Sequence, residues 1–162
     1  MATVELSLSA LTAHVRTARL VAVSLGRRAG LGEASLDEVR LAVGEATSRA
    51  VGLHAAACPT EPVVVRFSDD EPGVFFVEVV DRVPTDPDPS HDLAFAALAE
   101  HGDALDQADL GLLPPAVGLA VIDSLVDDVS VSTAAEGSSV RLSWPVPQPR
   151  GGPVSESVPP SA

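Results

Sequence analysis

Val4, Leu6 and Leu8 alternate with Glu5 and Ser7, the two-residue period of a strand with one buried face. The spacing then lengthens to three and four, which predicts a helix from Thr12 to Ala29 that ends near Gly30. Its core stripe is Val15, Ala18, Ala22 and Leu25, while Arg16, Arg19, Val23 and Arg27 fall within one narrow arc on the other side. A second helix is predicted from Ser35 to His54, with Leu36, Val39, Val43, Ala46, Ala50 and Leu53 as its buried stripe. Ser35 and Glu38 read as a capping box at its start, and Pro59 stops it. Leu41, Glu45, Ser48, Arg49 and Gly52 lie on the adjacent face, which either lines a pocket or meets water.

Beyond Pro59, Val63, Val65 and Phe67 alternate with Val64, Arg66 and Ser68 in a second strand. Asp69-Asp70-Glu71-Pro72-Gly73 is a strong turn signal, and the strand from Val74 to Asp81 pairs back as a hairpin. From Arg82 to Leu113 the pattern loosens into Pro- and Asp-rich sequence with a short helix around Leu93 to Glu100. Leu113 to Asp127 reads as a helix, with Pro114 and Pro115 in its tolerant first turn. Two strands close the pattern, one through Val129 and Val131 and one through Val140, Leu142 and Trp144, with Glu136-Gly137 at the turn between them. From Pro145 onward, 6 of 18 residues are proline and few are apolar, as expected of a disordered tail. This order predicts an α+β fold, a two-layer sandwich with helices on one face of a mixed, mainly antiparallel sheet. One domain over residues 1–144 and a tail over 145–162 are expected.

Composition removes several function classes. All ten basic residues are Arg; Lys and Asn do not occur. A P-loop needs its Lys against the phosphates, so that nucleotide site is excluded, as are a Schiff base and an Asn metal ligand. The net charge of −13 argues against nucleic acid, whose phosphates demand cations. A single cysteine, Cys58, allows no internal disulfide and suits a reducing compartment. His14, His54, His91 and His101 lack metal-ligand spacing, so no metal site is expected. No basic-then-apolar leader opens the sequence, and no apolar run approaches the ~20 residues that span a bilayer. A soluble cytoplasmic protein without membrane contact is expected.

Four features then follow one another. Glu45 lies on the second helix, Asp81 ends a strand in VEVVDRVP, Val117-Gly118-Leu119-Ala120 enters a later helix, and GSSVRLSW (Gly137 to Trp144) forms the last strand. In this order they resemble the histidine-kinase-like ATPases, and most closely the anti-sigma-factor serine kinases of bacteria. The resemblance covers residues 4 to 144. The EVRLAVGEA wording and the Lys-free composition resemble the actinobacterial branch paired with the antagonist BldG.

The resemblance implies ATP as ligand, with Glu45 as the general base that phosphorylates a serine on the antagonist. It implies nucleotide contacts at Arg49, Asp81, Gly118 and Ser138, with Asp81 on the adenine amino group. Relatives have Asn at the position of Arg49, where it ligates Mg²⁺, so a metal ligand is lost here. Ala116 replaces one glycine of the later box, and Arg82, Val83 and Pro84 follow Asp81 where an Asp-x-Gly-x-Gly box belongs. The lid segment, residues 82–113, carries seven acids and a single Arg, and so repels a triphosphate. A degenerate nucleotide site with weak or absent kinase activity is the expectation. Glu45 and Arg49, four residues apart, are also spaced for a helical ion pair that would weaken the base.

Implied partners are a sigma factor, a STAS-domain antagonist and a second copy of the chain. Arg16, Arg19 and Arg27 form a candidate docking strip; Arg19 matches a family arginine that contacts both partners. Two other functions fit the same sequence, an active serine kinase and an adaptor that binds antagonists only.

Overall fold

The computed structural model describes residues 3–58, 60–83, 122, 126, 128–134 and 136–147. Within them the chain runs β1 (Val4–Leu8), α1 (Ala13–Ala29), α2 (Glu33–Ala57), β2 (Val63–Ser68), β3 (Val74–Val80), β4 (Asp128–Ala134) and β5 (Gly137–Pro145). The strands form one sheet in the order β1-β2-β3-β5-β4, with every pairing antiparallel. The α+β architecture read from the periodicity is the observed one.

Register explains which face is buried. Leu6, Val65, Val79, Val140 and Val131 stand in one row across five strands, and Val4, Phe67, Val77, Leu142 and Val129 in another. These rows, with Phe75 and Trp144, join the buried residues of α1 and α2 in one core. The opposite face carries a charge ladder, Glu5–Arg66–Glu78–Arg141, in which Arg66 bonds both neighbouring carboxylates at 3.0 and 3.1 Å. A one-residue slip would exchange the two faces, so burial of the valine rows fixes the register.

Helix ends depart from the sequence reading. α2 begins at Glu33 with Gly32 as N-cap and no capping side chain. Ser35 therefore lies inside the first turn, and the expected capping box does not form. Glu33 adds a carboxylate at the positive end of the helix dipole instead. At the other end α2 runs to Ala57, three residues beyond His54. Leu53, placed in the buried stripe by its spacing, is only half-buried, and His54 beside it is fully enclosed. Asp128 opens β4.

Strand pairing in β5 continues through Pro145, and Val146 donates its N–H to the Gly73 carbonyl at 2.8 Å. Residues 148–162 of the expected tail lie outside the described residues, as do the Leu93 to Glu100 helix and most of residues 82–113. Of the Leu113 to Asp127 helix, Ile122 and Val126 are described; Ile122 is buried in the core. No described helix is long and apolar enough to cross a membrane.

Candidate functional site

α1 and α2 pack side by side, and at Gly44 a polar side chain of α1 lies against the backbone of α2. A Cβ at residue 44 would fall inside the Arg19 guanidinium, so the missing side chain is what lets this cation lie in the groove. Arg19 is half-buried, and its Nε has no hydrogen-bond partner among the described residues. Next along α2, Glu45 is 7% exposed. Burial pushes its carboxyl above the ordinary carboxylate range, and the Arg19 charge draws it partway back. The cation acting on Glu45 is thus Arg19, from the neighbouring helix. The spacing had suggested Arg49.

Arg49, one turn on, answers to a different acid. Burial pulls its guanidinium down to about 10, and the charge of Asp81 opposes that loss. Asp81 follows β3 and is 6% exposed. Its Oδ2 accepts the Ser138 hydroxyl at 2.5 Å, and its Oδ1 accepts the N–H of Val83 at 3.1 Å and of Ser138 at 3.4 Å. The Asp81 N–H in turn reaches the Ser138 carbonyl at 2.8 Å. Gly137 makes this approach possible. Its φ is +140°, and a Cβ there would overlap the Asp81 carbonyl oxygen.

Arg49, Asp81 and Ser138, which share no segment of sequence, are therefore gathered at one place. Glu45 stands one helical turn away. The described part of this arrangement agrees in element order with one family, whose sequence pattern, the histidine kinase-like ATPase domain, matches residues 8–144. The chain belongs to the histidine-kinase-like ATPase family.

Solved structures of low identity share its fold. The crystal structure of the RsbU and RsbW domains of Rv1364c from Mycobacterium tuberculosis matches with a TM-score of 0.63 at 18% identity, covering 92% of this chain. This chain spans about a third of that protein's length (34%). A mycobacterial sensor histidine kinase, MprB, matches with a TM-score of 0.52 at 16% identity, over 91% of this chain and 100% of its own. No curated protein sequence matches.

Measured against an ATPase's needs, the residues fit the base of a nucleotide and not its metal. A carboxylate offers about four lone-pair positions, and donors among the described residues use three on Asp81. Counting the described residues, one acceptor position on Oδ2 is left, of the kind an amino group such as that of adenine uses. A guanidinium has no lone pair, so Arg49 cannot ligate a cation. It can pair with an anion, and Asp81 is the described anion whose charge it meets.

The residues of the expected docking strip differ in exposure. Arg16 and Arg27 are exposed, and Arg27 bonds Glu33 at the start of α2 at 3.1 Å. Arg19 sits in the helix groove and Val23 is buried. Gly118 lies outside the described residues. Trp144 is fully buried and stacks obliquely on Phe75, with ring centroids 6.3 Å apart, so it is core.

Sequence reasoning gave no role to His54, which is 0% exposed. Its Nδ1 lies 3.0 Å from the Glu61 carbonyl oxygen, and its Nε2 accepts the Arg82 N–H at 2.9 Å. Its spacing of five residues from Arg49, where the resemblance implies four, gave no role to carry over. Its partners are backbone atoms, which no side-chain pattern announces.

Proposed function

We propose that the chain is an anti-sigma regulatory protein. It binds a sigma factor, is controlled by a competing STAS-domain antagonist, and carries a degenerate nucleotide site. Family membership and the likeness in fold to the RsbU and RsbW domains of Rv1364c support the regulatory role. Arg49 is the observation that carries the degenerate site. A half-buried cation acting on Asp81 sits where relatives hold a metal ligand, one turn from Glu45. It supplies positive charge that Mg²⁺ would otherwise bring, and that charge acts on the carboxylate proposed to read adenine.

The same reading includes a homodimer, a cytoplasmic setting, an actinobacterial source with a BldG-type antagonist, and residues 82–113 as the altered lid. The exposed pair Arg16 and Arg27 is the available docking surface of α1 on an acidic protein. Competition between two protein surfaces would then set sigma release, with nucleotide serving structure or sensing. Calorimetric titration with ATP, with and without Mg²⁺, tests the site: weak binding indifferent to Mg²⁺ is expected, and tight Mg²⁺-dependent binding refutes degeneracy. Affinity capture with an Arg16→Glu, Arg27→Glu double variant tests the surface, since unchanged partner recovery would remove it.

One observation favours a serine kinase instead. Burial raises the proton affinity of Glu45, which suits a general base. Label transfer from radiolabelled ATP to the antagonist would establish that reading over the first.

A further inference from the structure

We propose that His54 is a positioning residue of the nucleotide site: it fixes the backbone corner that aims the Asp81 carboxylate. The inference rests on Asp81 as the nucleotide acceptor proposed above, and its geometry stands apart from that reading. The Glu61 carbonyl can only accept, so Nδ1 must donate to it, and Nε2 is left to accept from Arg82. Only the Nδ1–H tautomer satisfies both contacts.

The Asp81-Arg82-Val83 corner has three amides. Asp81 gives its N–H to β5 through the Ser138 carbonyl, and Val83 gives its own to Asp81 Oδ1. The Arg82 N–H goes to His54. The corner is therefore held from two sides, by Gly137 and Ser138 of β5 and by His54 of α2. α2 also carries Arg49, whose charge acts on Asp81. A bond from the helix to the residue after Asp81 keeps cation and carboxylate in one frame. The Arg82 guanidinium approaches the Glu61 carboxylate at 3.8 Å, so the loop that receives Nδ1 is tied to the same corner.

Two near-isosteres separate positioning from plain packing. His54→Gln keeps an acceptor near the place of Nε2, whereas His54→Asn keeps a donor near Nδ1 and leaves Arg82 unserved. In the full chain, NMR hydrogen exchange reads the Val83 amide on Asp81 Oδ1, and ATP titration reads the site. Both variants should melt below the wild type. The Gln variant is expected to retain Val83 protection and ATP affinity within about threefold, and the Asn variant to lose about tenfold in each, the scale of one buried amide left unbonded.

Equal losses in the two variants, or Val83 protection unchanged in both, would overturn the proposal. If wild type shows no ATP binding while Val83 protection still splits between the variants, the positioning holds and the nucleotide reading fails. Should the Asn variant not fold, His54→Leu takes its place as the variant that leaves the Arg82 N–H unserved, and the same comparison with the Gln variant decides.

Discussion

Glu45 and Gly137 show what single residues contribute. Folding raises the Glu45 carboxyl above its unfolded value, so folding disfavours its charged form. The sign follows from linkage: its contribution is most favourable below the unfolded carboxylate pKa of about 4.3 and declines as pH rises through the folded pKa. Glu45→Gln is therefore expected to melt above wild type at pH 7–8, with the gap closing near pH 4, as melts across that range would read. Gly137→Ala forces a side chain into both a positive φ and the Asp81 carbonyl oxygen. It should cost at least about 1–3 kcal/mol and expose the Val83 amide, measured by denaturant titration and hydrogen exchange. Thr47 is fully buried, and its hydroxyl has no partner among the described residues. Thr47→Val should be neutral or stabilising by about 1 kcal/mol, because no bond is lost.

At the scale of elements, the contact between α1 and α2 does electrostatic as well as packing work. Gly44 opens the groove, Arg19 occupies it, and the Arg19 charge holds Glu45 nearer its ordinary range than burial alone would. Arg19→Met should move the Glu45 titration further up, and Gly44→Ala should do the same by expelling the guanidinium. Carbon-detected NMR titration of the Glu45 carboxyl checks both, and an unchanged midpoint in Arg19→Met would sink the coupling. The join between β3 and β5 acts comparably on the other acid. Cross-strand pairing of Val80 with Ser139 brings Ser138 alongside Asp81, two residues that are 57 apart in sequence. α2 bridges the two acids, since Glu45 and Arg49 lie one turn apart along it.

For the whole molecule, the sheet separates two kinds of surface. One face holds the valine rows under the helices, and the other holds the Glu5–Arg66–Glu78–Arg141 ladder, both of whose cations are spent on acids, Arg66 on Glu5 and Glu78 and Arg141 on Glu71. Arg141 also lies over the Phe76 ring, 4.0 Å from its centroid. On a chain of net charge −13, the unspent cations gain weight for any acidic partner. In the nucleotide site proposed above, Arg49 is the cation at issue. Arg49→Asn should restore a lone pair at that position and raise Mg²⁺-dependent ATP affinity by at least about tenfold, or 1.4 kcal/mol, by calorimetry. No gain would mean that the lid or the lost glycines, rather than Arg49, limit nucleotide handling.

The amino-acid order alone was enough for the strands and the two long helices, because period-two and period-3.6 burial are local properties of Val74–Val80 or Leu36–Ala50. It also marked Glu45, Arg49, Asp81 and Ser138 as the residues of interest. Which charge acts on which was beyond it. The helix spacing offered Glu45 with Arg49, while the fold sets Arg19 against Glu45 and Asp81 against Arg49. Those charge interactions, the missing Cβ at Gly44 and the two backbone partners of His54 all join separate segments of the chain. Only packing brings such groups within reach, and Coulomb and hydrogen-bond energies depend on that distance rather than on separation along the sequence.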